Sequence, residues 1–484
     1  MIHRVQQHIR EVDRFSYEPF VVSIGPYHHG TAALQSVEKM KWRFLDYILK
    51  LNHNKTILDY LVSLSEQAEK AKHCYSEDIQ MDDEEFLRML LLDGCFILVA
   101  LGGTRGISAC KQQSSSASPT QDKRLECGEP QARQEDGTEG SGAGGSSNSQ
   151  EGGQSTGNDL QIGPWFIRFL NHDVLLLENQ VPFFVIKKIY ELVCGRESAC
   201  PTELVKFVEA ALRFYPKTIM ESERPNNFDH LLHLCHVYFR PRQRPDDAHQ
   251  YVIGTRYLAS FLSFGRKYLK VGHQLDDNDL DTTIGKESDG EQNLNRWRRV
   301  VQYMEAGVSF KKRYYDRDEP HCLLDVRFIK GVMEIPCLII NEHTGSLFRN
   351  LIAFEQTCPQ FGDDFTAYIV FMSQIISAPD DVTVLAQREI IVHHLESDEK
   401  VSDLFTMLSK DVVFDFNGQY YLKSLCQKME AYYQSRLKRW MAWLWLHLFR
   451  NPWLGVAAFA TVIVLICTVV QTVFGILAYI HPTG

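Results

Sequence analysis

Residues 86–103 read FLRMLLLDGCFILVALGG. The run is apolar nearly throughout, yet it holds Arg88 and Asp93 and stops at Gly102-Gly103. A bilayer-spanning helix needs about 20 uncharged residues. This stretch is too short and too interrupted, so it predicts a helix buried on all sides of a globular core. Asp82, Asp83, Glu84 and Glu85 precede it, acids suited to a helix N-terminus.

Such a helix needs other helices around it, and the flanking sequence supplies them. From 34 to about 69, Val37, Met40, Lys41, Phe44, Tyr47 and Ile48 recur near the helical period. Residues 165–193, WFIRFLNHDVLLLENQVPFFVIKKIYELV, read as helical with a break at Val181-Pro182. Further helical patterns cover about 202–215, 226–238, 251–271, 294–307, 346–357, 365–377, 380–395 and 398–409. The one strand region is LLDVRFIKGVMEIPCLIIN (323–341), a β-hairpin turning near Lys330-Gly331. The fold class expected is mainly α with a small β-hairpin: a helical globular domain followed by one C-terminal transmembrane helix.

That last helix is WLGVAAFATVIVLICTVVQTVFGILAYI (453–480), 28 residues without a formal charge and long enough to span with some tilt. A stretch from about 418 to 449 leads into it. There Arg436, Lys438, Arg439, Trp440, Trp443 and Trp445, with Arg450 and Trp453 beyond, have the mixed aromatic and basic character of a membrane interface. Cations precede the span and only His481 follows it, so the positive-inside rule puts the body in the cytosol. The start, MIHRVQQHIREVDRF, has no signal-peptide core. The expectation is tail-anchored, single-pass insertion, with the plasma membrane the favoured site. The body is expected as one domain, 1–103 plus 161–435. A Ser/Gly-rich stretch at 104–160 (GTEGSGAGGSSNSQEGGQSTG within it) interrupts it and is expected to be disordered. An acidic loop covers 275–293.

Composition narrows the function. The net charge of −10 disfavours nucleic acid, whose phosphates call for a basic face. The twelve cysteines stand singly with no metal-ligand spacing, so no metal and no cofactor are expected. Reduced thiols are expected in a chain without a signal peptide. Asn54-Lys55-Thr56 is an acceptor sequence for glycosylation that would go unused in the cytosol.

The motifs resemble those of the plant proteins grouped as domain of unknown function 247. They run in the family's order: SIGPYHHG (23–30) with Gly25, Pro26, Tyr27, His28 and His29; EKMK with Glu38 and Lys41; LLDGCFIL (91–98) with Asp93 and Gly94; HDVLLLENQVPFFV (172–185) with Glu178, Asn179, Gln180 and Pro182; EAGVSFK (305–311); IPCLIIN (335–341); and RNLIAFEQ (349–356) with Asn350 and Glu355. The departures are Gln6, where the family usually has proline, and the length of the Ser/Gly-rich insertion. The resemblance implies a mostly helical fold without assigned biochemistry. Some grass members are similar to pollen determinants of self-incompatibility, which implies membrane-associated recognition.

The catalytic candidates are the polar residues inside these apolar motifs: His28, His29, Asp93 and Glu178. Histidines and carboxylates are the usual acid–base groups, but the spacing matches no hydrolase or metalloprotease pattern. The alternative use of such groups is mutual satisfaction in the core, with Glu178 paired to Lys41. The acidic loop lacks the glycine and glutamate of a calcium loop, and no phosphate-binding glycine motif is present. The reading favours a membrane-anchored recognition or signalling protein, not an enzyme. Its partners would be the lipid bilayer and an unidentified protein. Gln471 and Gly475 make a homodimer through the span a further candidate. The alternative is a membrane-anchored hydrolase or nuclease using the histidine–carboxylate set.

Overall fold

A computed structural model describes residues 1–115, 163–195, 201–213, 215–216, 219, 224–225, 227–241, 298–316, 320–434 and 452–480. The protein is mainly helical. A one-turn helix, Gln7–Arg10, precedes α1 (Gln35–Leu51), α2 (Ile57–Ser65), α3 (Ala68–Lys72) and α4 (Asp83–Ser115). Next come α5 (Pro164–Asp173), α6 (Phe183–Cys194), α7 (Thr202–Ala211), α8 (Leu231–Tyr238) and α9 (Val300–Glu305). The strands are β1 (Ser309–Arg313), β2 (Arg327–Ile329), β3 (Val332–Pro336), β4 (Leu338–Ile340) and β5 (Ile391–His393). Helix α10 (Thr344–Thr357) follows β4, and α11 (Asp364–Ile375) and α12 (Pro379–Gln387) precede β5. The rest are α13 (Asp398–Ser409), α14 (Lys423–Gln434) and α15 (Pro452–Ile480).

Helix α4 is the central core element. Phe86, Met89, Leu90, Cys95, Phe96 and Ile97 are all buried. Helices α1, α2, α6 and α7 pack around it. By length and composition its segment Asp83–Gly103 could cross a membrane, but 72% of its most apolar stretch is buried inside the body, which makes it a core helix. Gly94 lets α6 approach closely, since a Cβ there would lie 2.4 Å from Ile189 Cδ1. The core helix ends at Gly102-Gly103, as expected. Gly103 takes φ +71°, ψ +153° and kinks the chain, and helix resumes to Ser115. The Ser/Gly-rich insertion expected from 104 therefore begins with helical backbone, and 116–160 lie outside the described residues.

The hairpin is present. Strands β2 and β3 pair antiparallel with Phe328 opposite Met333, and Lys330-Gly331 forms the turn with φ +49° and +85°. That is the positive-φ pair a two-residue hairpin prefers. The sheet is larger than expected, because β1 pairs parallel to β3. A second parallel pair joins β4 to β5. Residues 391–393, read from sequence as helix, are thus a strand. The apolar pattern of 380–395 is shared by a helix and a short strand of which only Ile391 is buried.

The largest departure is at residues 174–182. The sequence reads as continuous helix to Val181, but α5 stops at Asp173 and an irregular buried segment runs to Pro182. Cys194 is disulfide-bonded, contrary to the expectation of reduced thiols. Cys95, Cys235 and Cys322 are among the cysteines that are free.

Helix α15 carries 29 residues, and its described apolar side chains face outward: Val456 is 64% exposed and Phe459 70%. Its run of described apolar residues, Phe459–Val473, is shorter than a span requires. The stretch Phe459–Val473 is therefore an apolar helix with an exposed surface, and it does not by itself reach the length expected of the C-terminal span. Arg436, Lys438, Arg439, Trp440, Trp443, Trp445 and Arg450 lie outside the described residues, as do 251–271 and the acidic loop 275–293.

Candidate functional site

The buried segment 174–182 is where the motifs meet. An irregular chain inside a core must satisfy its own amides and carbonyls, and here Asn179 and Gln180 do so. Asn179 Oδ1 accepts from Ile24 N–H (2.7 Å), and Nδ2 donates to Val22 O (3.0 Å) and Asp173 O (2.9 Å). Gln180 Nε2 donates to Val174 O (2.8 Å) and Leu176 O (2.7 Å), and Oε1 accepts from Leu232 N–H (3.2 Å). Such side-chain bonds offer the backbone an alternative to a helix, which is why the leucines of this stretch are buried without forming one. Pro182 then precedes α6.

An N-terminal strap, residues 1–27, is laid over this segment and pinned by carboxylates. Asp173 Oδ1 accepts from Phe20 N–H (2.8 Å), and Oδ2 from Val21 N–H (2.7 Å) and Val22 N–H (2.9 Å). Asp93 Oδ2 accepts from Gly25 N–H (2.7 Å). Gly25 sits at φ +76°, and a Cβ there would lie 2.4 Å from Gln180 O. Asn350 Oδ1 accepts from Leu177 N–H (2.8 Å), while its Nδ2 donates to Ser16 O (2.8 Å) and Ser346 O (2.8 Å). Glu355 plays the same part farther off: its carboxylate accepts from Phe365 N–H (3.0 Å) and Thr366 N–H (2.7 Å), the first turn of α11, and meets His236 Nε2 at 2.8 Å.

The four sequence candidates do not converge on one centre. Asp93 belongs to Lys41, with Nζ–Oδ1 at 2.7 Å, and Lys41 is 1% exposed. The ammonium also meets Glu38 (2.6 Å) and donates to Ser23 O (2.6 Å). Burial alone would lower Lys41, but Asp93 and Glu38 outweigh it and the ammonium is held above its ordinary value. Burial pulls Asp93 upward against Lys41. With two carboxylates and a carbonyl around one ammonium, we take the pair as ionised. Glu178 does not pair with Lys41. It binds Arg10 (2.5 Å) and accepts from Val5 N–H (2.7 Å), anchoring the start of the strap. His28 stands 3.7 Å from Glu178, and burial holds it below its ordinary value. His29 faces Glu85 at 3.4 Å. Tyr27 caps the strap by donating to Ile2 O.

The structure instead assembles a set that sequence reasoning missed. Ser346 Oγ lies 2.9 Å from His172 Nε2, and His172 Nδ1 lies 2.9 Å from Asp173 Oδ1. Ser346 Oγ is also 2.7 Å from Ser16 O. His172 and Asp173 stand in the HDVLLLENQVPFFV motif, but Ser346 is 174 residues away, so only the fold brings it to them. Above His172 lies an aromatic surface. Phe20 stacks on the imidazole at 4.3 Å, Phe169 meets Phe20 at 5.9 Å, and Trp165 meets Phe169 at 6.4 Å. Phe20 is 45% and Trp165 66% exposed.

Among the described residues no three His, Cys, Asp or Glu side chains are placed to share a metal ion. A separate shallow dimple, with room for about 10 Å³, is lined by Ile9, Tyr17, Arg349, Ile352 and Gln356. A family model described as a plant protein of unknown function matches residues 2–467. An Arabidopsis thaliana protein named as a UPF0481 protein is 26% identical over 493 residues, covering 99% of this chain and 87% of the relative. A second Arabidopsis thaliana protein, named as a putative UPF0481 protein, is 20% identical over 476 residues, covering 87% and 80%. No solved structure matches.

Proposed function

The chain belongs to the plant family called domain of unknown function 247, and from that premise we propose a membrane-tethered protein that works by binding a partner. The observation that carries the tether is α15. A helix of 29 residues is about 43 Å long. From Phe459 to Val473 its side chains are exposed, and all are apolar apart from Thr461, Thr468, Thr472 and Gln471. Water disfavours such a surface by about 25 cal/mol per Å² of apolar area, and a bilayer removes that cost. Its threonines donate to the carbonyl four residues back, as Thr461 does to Ala457 O and Thr468 to Val464 O. Their hydroxyls therefore need no water.

The cations before the helix favour a cytosolic body. The disulfide at Cys194 fits a reducing cytosol poorly, and Asn54 is exposed in a turn, accessible to a glycan. One experiment decides tether and side together. Microsomes holding the full chain are washed with alkaline carbonate and treated with protease. The tether predicts retention in the pellet, and the cytosolic body predicts digestion and no glycan on Asn54. Release by carbonate overturns the tether, and a glycosylated, protected body overturns the orientation.

Partner binding is supported by how the motif residues are used. Asp93, Glu178 and Glu355 are held by pairing and amide contacts that fix one scaffold, and apolar side chains such as Leu58, Val62 and Trp165 are left at its surface. A hydrolytic centre built from His28, His29, Asp93 and Glu178 has no such support, because the two carboxylates serve different partners. The finer reading, a pollen determinant of self-incompatibility in a grass, rests on the motif resemblance. It predicts pollen expression and alleles that segregate with compatibility, and a transcript absent from pollen rules it out.

A further inference from the structure

We propose that Ser346, His172 and Asp173 form a nucleophilic centre that accepts acyl groups from carboxylic esters with an apolar portion. The inference is separate from the tether and rests on three observations. First, the contacts follow the order of an activated serine: nucleophile to base at 2.9 Å, and base to carboxylate at 2.9 Å. Asp173 is fixed by the three strap amides of Phe20, Val21 and Val22, so it can hold Nδ1–H of His172 and leave Nε2 as the acceptor.

Second, the serine proton has a choice. The Ser346 hydroxyl can donate to Ser16 O or to His172 Nε2, since a hydroxyl hydrogen rotates to suit its acceptors. Ser16 O also accepts from Asn350 Nδ2 at 2.8 Å, so it stays satisfied when the hydroxyl turns to the imidazole. Ser346 is the third residue of α10, whose first-turn amides have no intrahelical acceptor and lie where negative charge is favoured.

Third, the site has an apolar approach. Phe20 lies on His172, and Phe169 and Trp165 extend the aromatic surface outward. Ser346 and His172 are buried beneath it, so access requires the Phe20 side chain to swing aside. An ester seated on the aromatic rings then meets Ser346. Oγ attacks the carbonyl carbon, its proton passes to His172 Nε2, and collapse of the tetrahedral species breaks the ester C–O bond. The alcohol leaves with that proton. Water, deprotonated by the same nitrogen, attacks the acyl-serine; the acyl C–Oγ bond breaks, the proton passes from Nε2 to Ser346 Oγ, and the carboxylic acid leaves with the free serine restored. No oxidant or reductant is needed.

The test uses the full chain in detergent micelles with a fluorescent alkyl fluorophosphonate and with p-nitrophenyl butyrate. The expected result is a label mapped to Ser346 by peptide mass spectrometry. Labelling should be lost in Ser346→Ala, slowed at least about 100-fold in His172→Gln, and accelerated in Phe20→Ala. Ester hydrolysis should follow the same order. Melting curves establish that Ser346→Ala is folded, so a missing label is a chemical result. A wild-type chain that melts cooperatively yet labels no faster than Ser346→Ala overturns the proposal, as does a label mapped to another residue.

Discussion

At the scale of single residues, Lys41 carries the most consequence. Its ammonium is buried against Asp93 and Glu38, and through Asp93 and Ser23 it holds the strap at Gly25. Removing one member of a buried pair leaves the other uncompensated, which costs about 3–5 kcal/mol. Lys41→Met should therefore lower the unfolding free energy by that amount in urea melts. Lys41→Met with Asp93→Asn should cost less than the sum of the two single changes; additive losses would show that the pair is not coupled. Glu178→Gln tests a different anchor. It keeps an acceptor for Val5 N–H but loses the charge facing Arg10. It should loosen residues 1–10 selectively, seen as faster amide exchange there with α4 still protected. Uniform protection across the strap would contradict that role.

Among the elements, the strap and the segment 174–182 are joined by shared hydrogen bonds. Gly25→Ala places a methyl against Gln180 O at a φ that L-residues avoid. It should cost at least about 2 kcal/mol, read as a lowered urea midpoint. The hairpin gives the opposite sign. Lys330 holds φ +49°, a conformation that asparagine tolerates better. Lys330→Asn should raise stability by about 0.5–1 kcal/mol, and a lowered midpoint would refute that account of the turn. These elements also show what could be read from sequence. The core helix 83–103 and the hairpin were legible because each rests on local signals, an apolar run after acids and a glycine between alternating residues. Strand β1 was not, because SFKKR is a polar stretch that becomes a strand only beside β3. Segment 174–182 misled because its leucines mimic a helical face. What decides its path is bonding from Asn179 and Glu178 to residues 155 and 173 positions away. The Ser346–His172 contact was hidden for the same reason. Histidine next to aspartate is visible in the motif, whereas the serine arrives only when the start of α10 is packed under the strap.

Across the whole molecule, the buried histidines tie stability to pH. His230 and His28 are pushed down by burial, and His233 is lowered to about 4, chiefly by burial and against the pull of Asp229. His230 Nδ1 accepts from His233 N–H at the start of α8 and its ring packs edge-on against Phe354, so it is built into the core as a neutral ring. In the unfolded chain these groups take up protons near pH 6.5. Below that pH the unfolded state binds more protons than the fold, so stability is present above about 6.5 and is lost as pH falls toward 4. Each histidine that is charged unfolded and neutral folded contributes a slope approaching about 1.4 kcal/mol per pH unit. The strap and α8 both respond, because His28 sits beside Glu178 and Arg10 while His233 packs on Phe354. Urea midpoints of the full chain in detergent should drop steadily between about pH 6.5 and 4.5. His233→Gln should flatten part of that slope, since a glutamine side chain can still accept from Asp229 N–H as the imidazole does. A midpoint constant over that range would mean that these rings are protonated in the fold, and the neutral core around Phe354 would have to be abandoned.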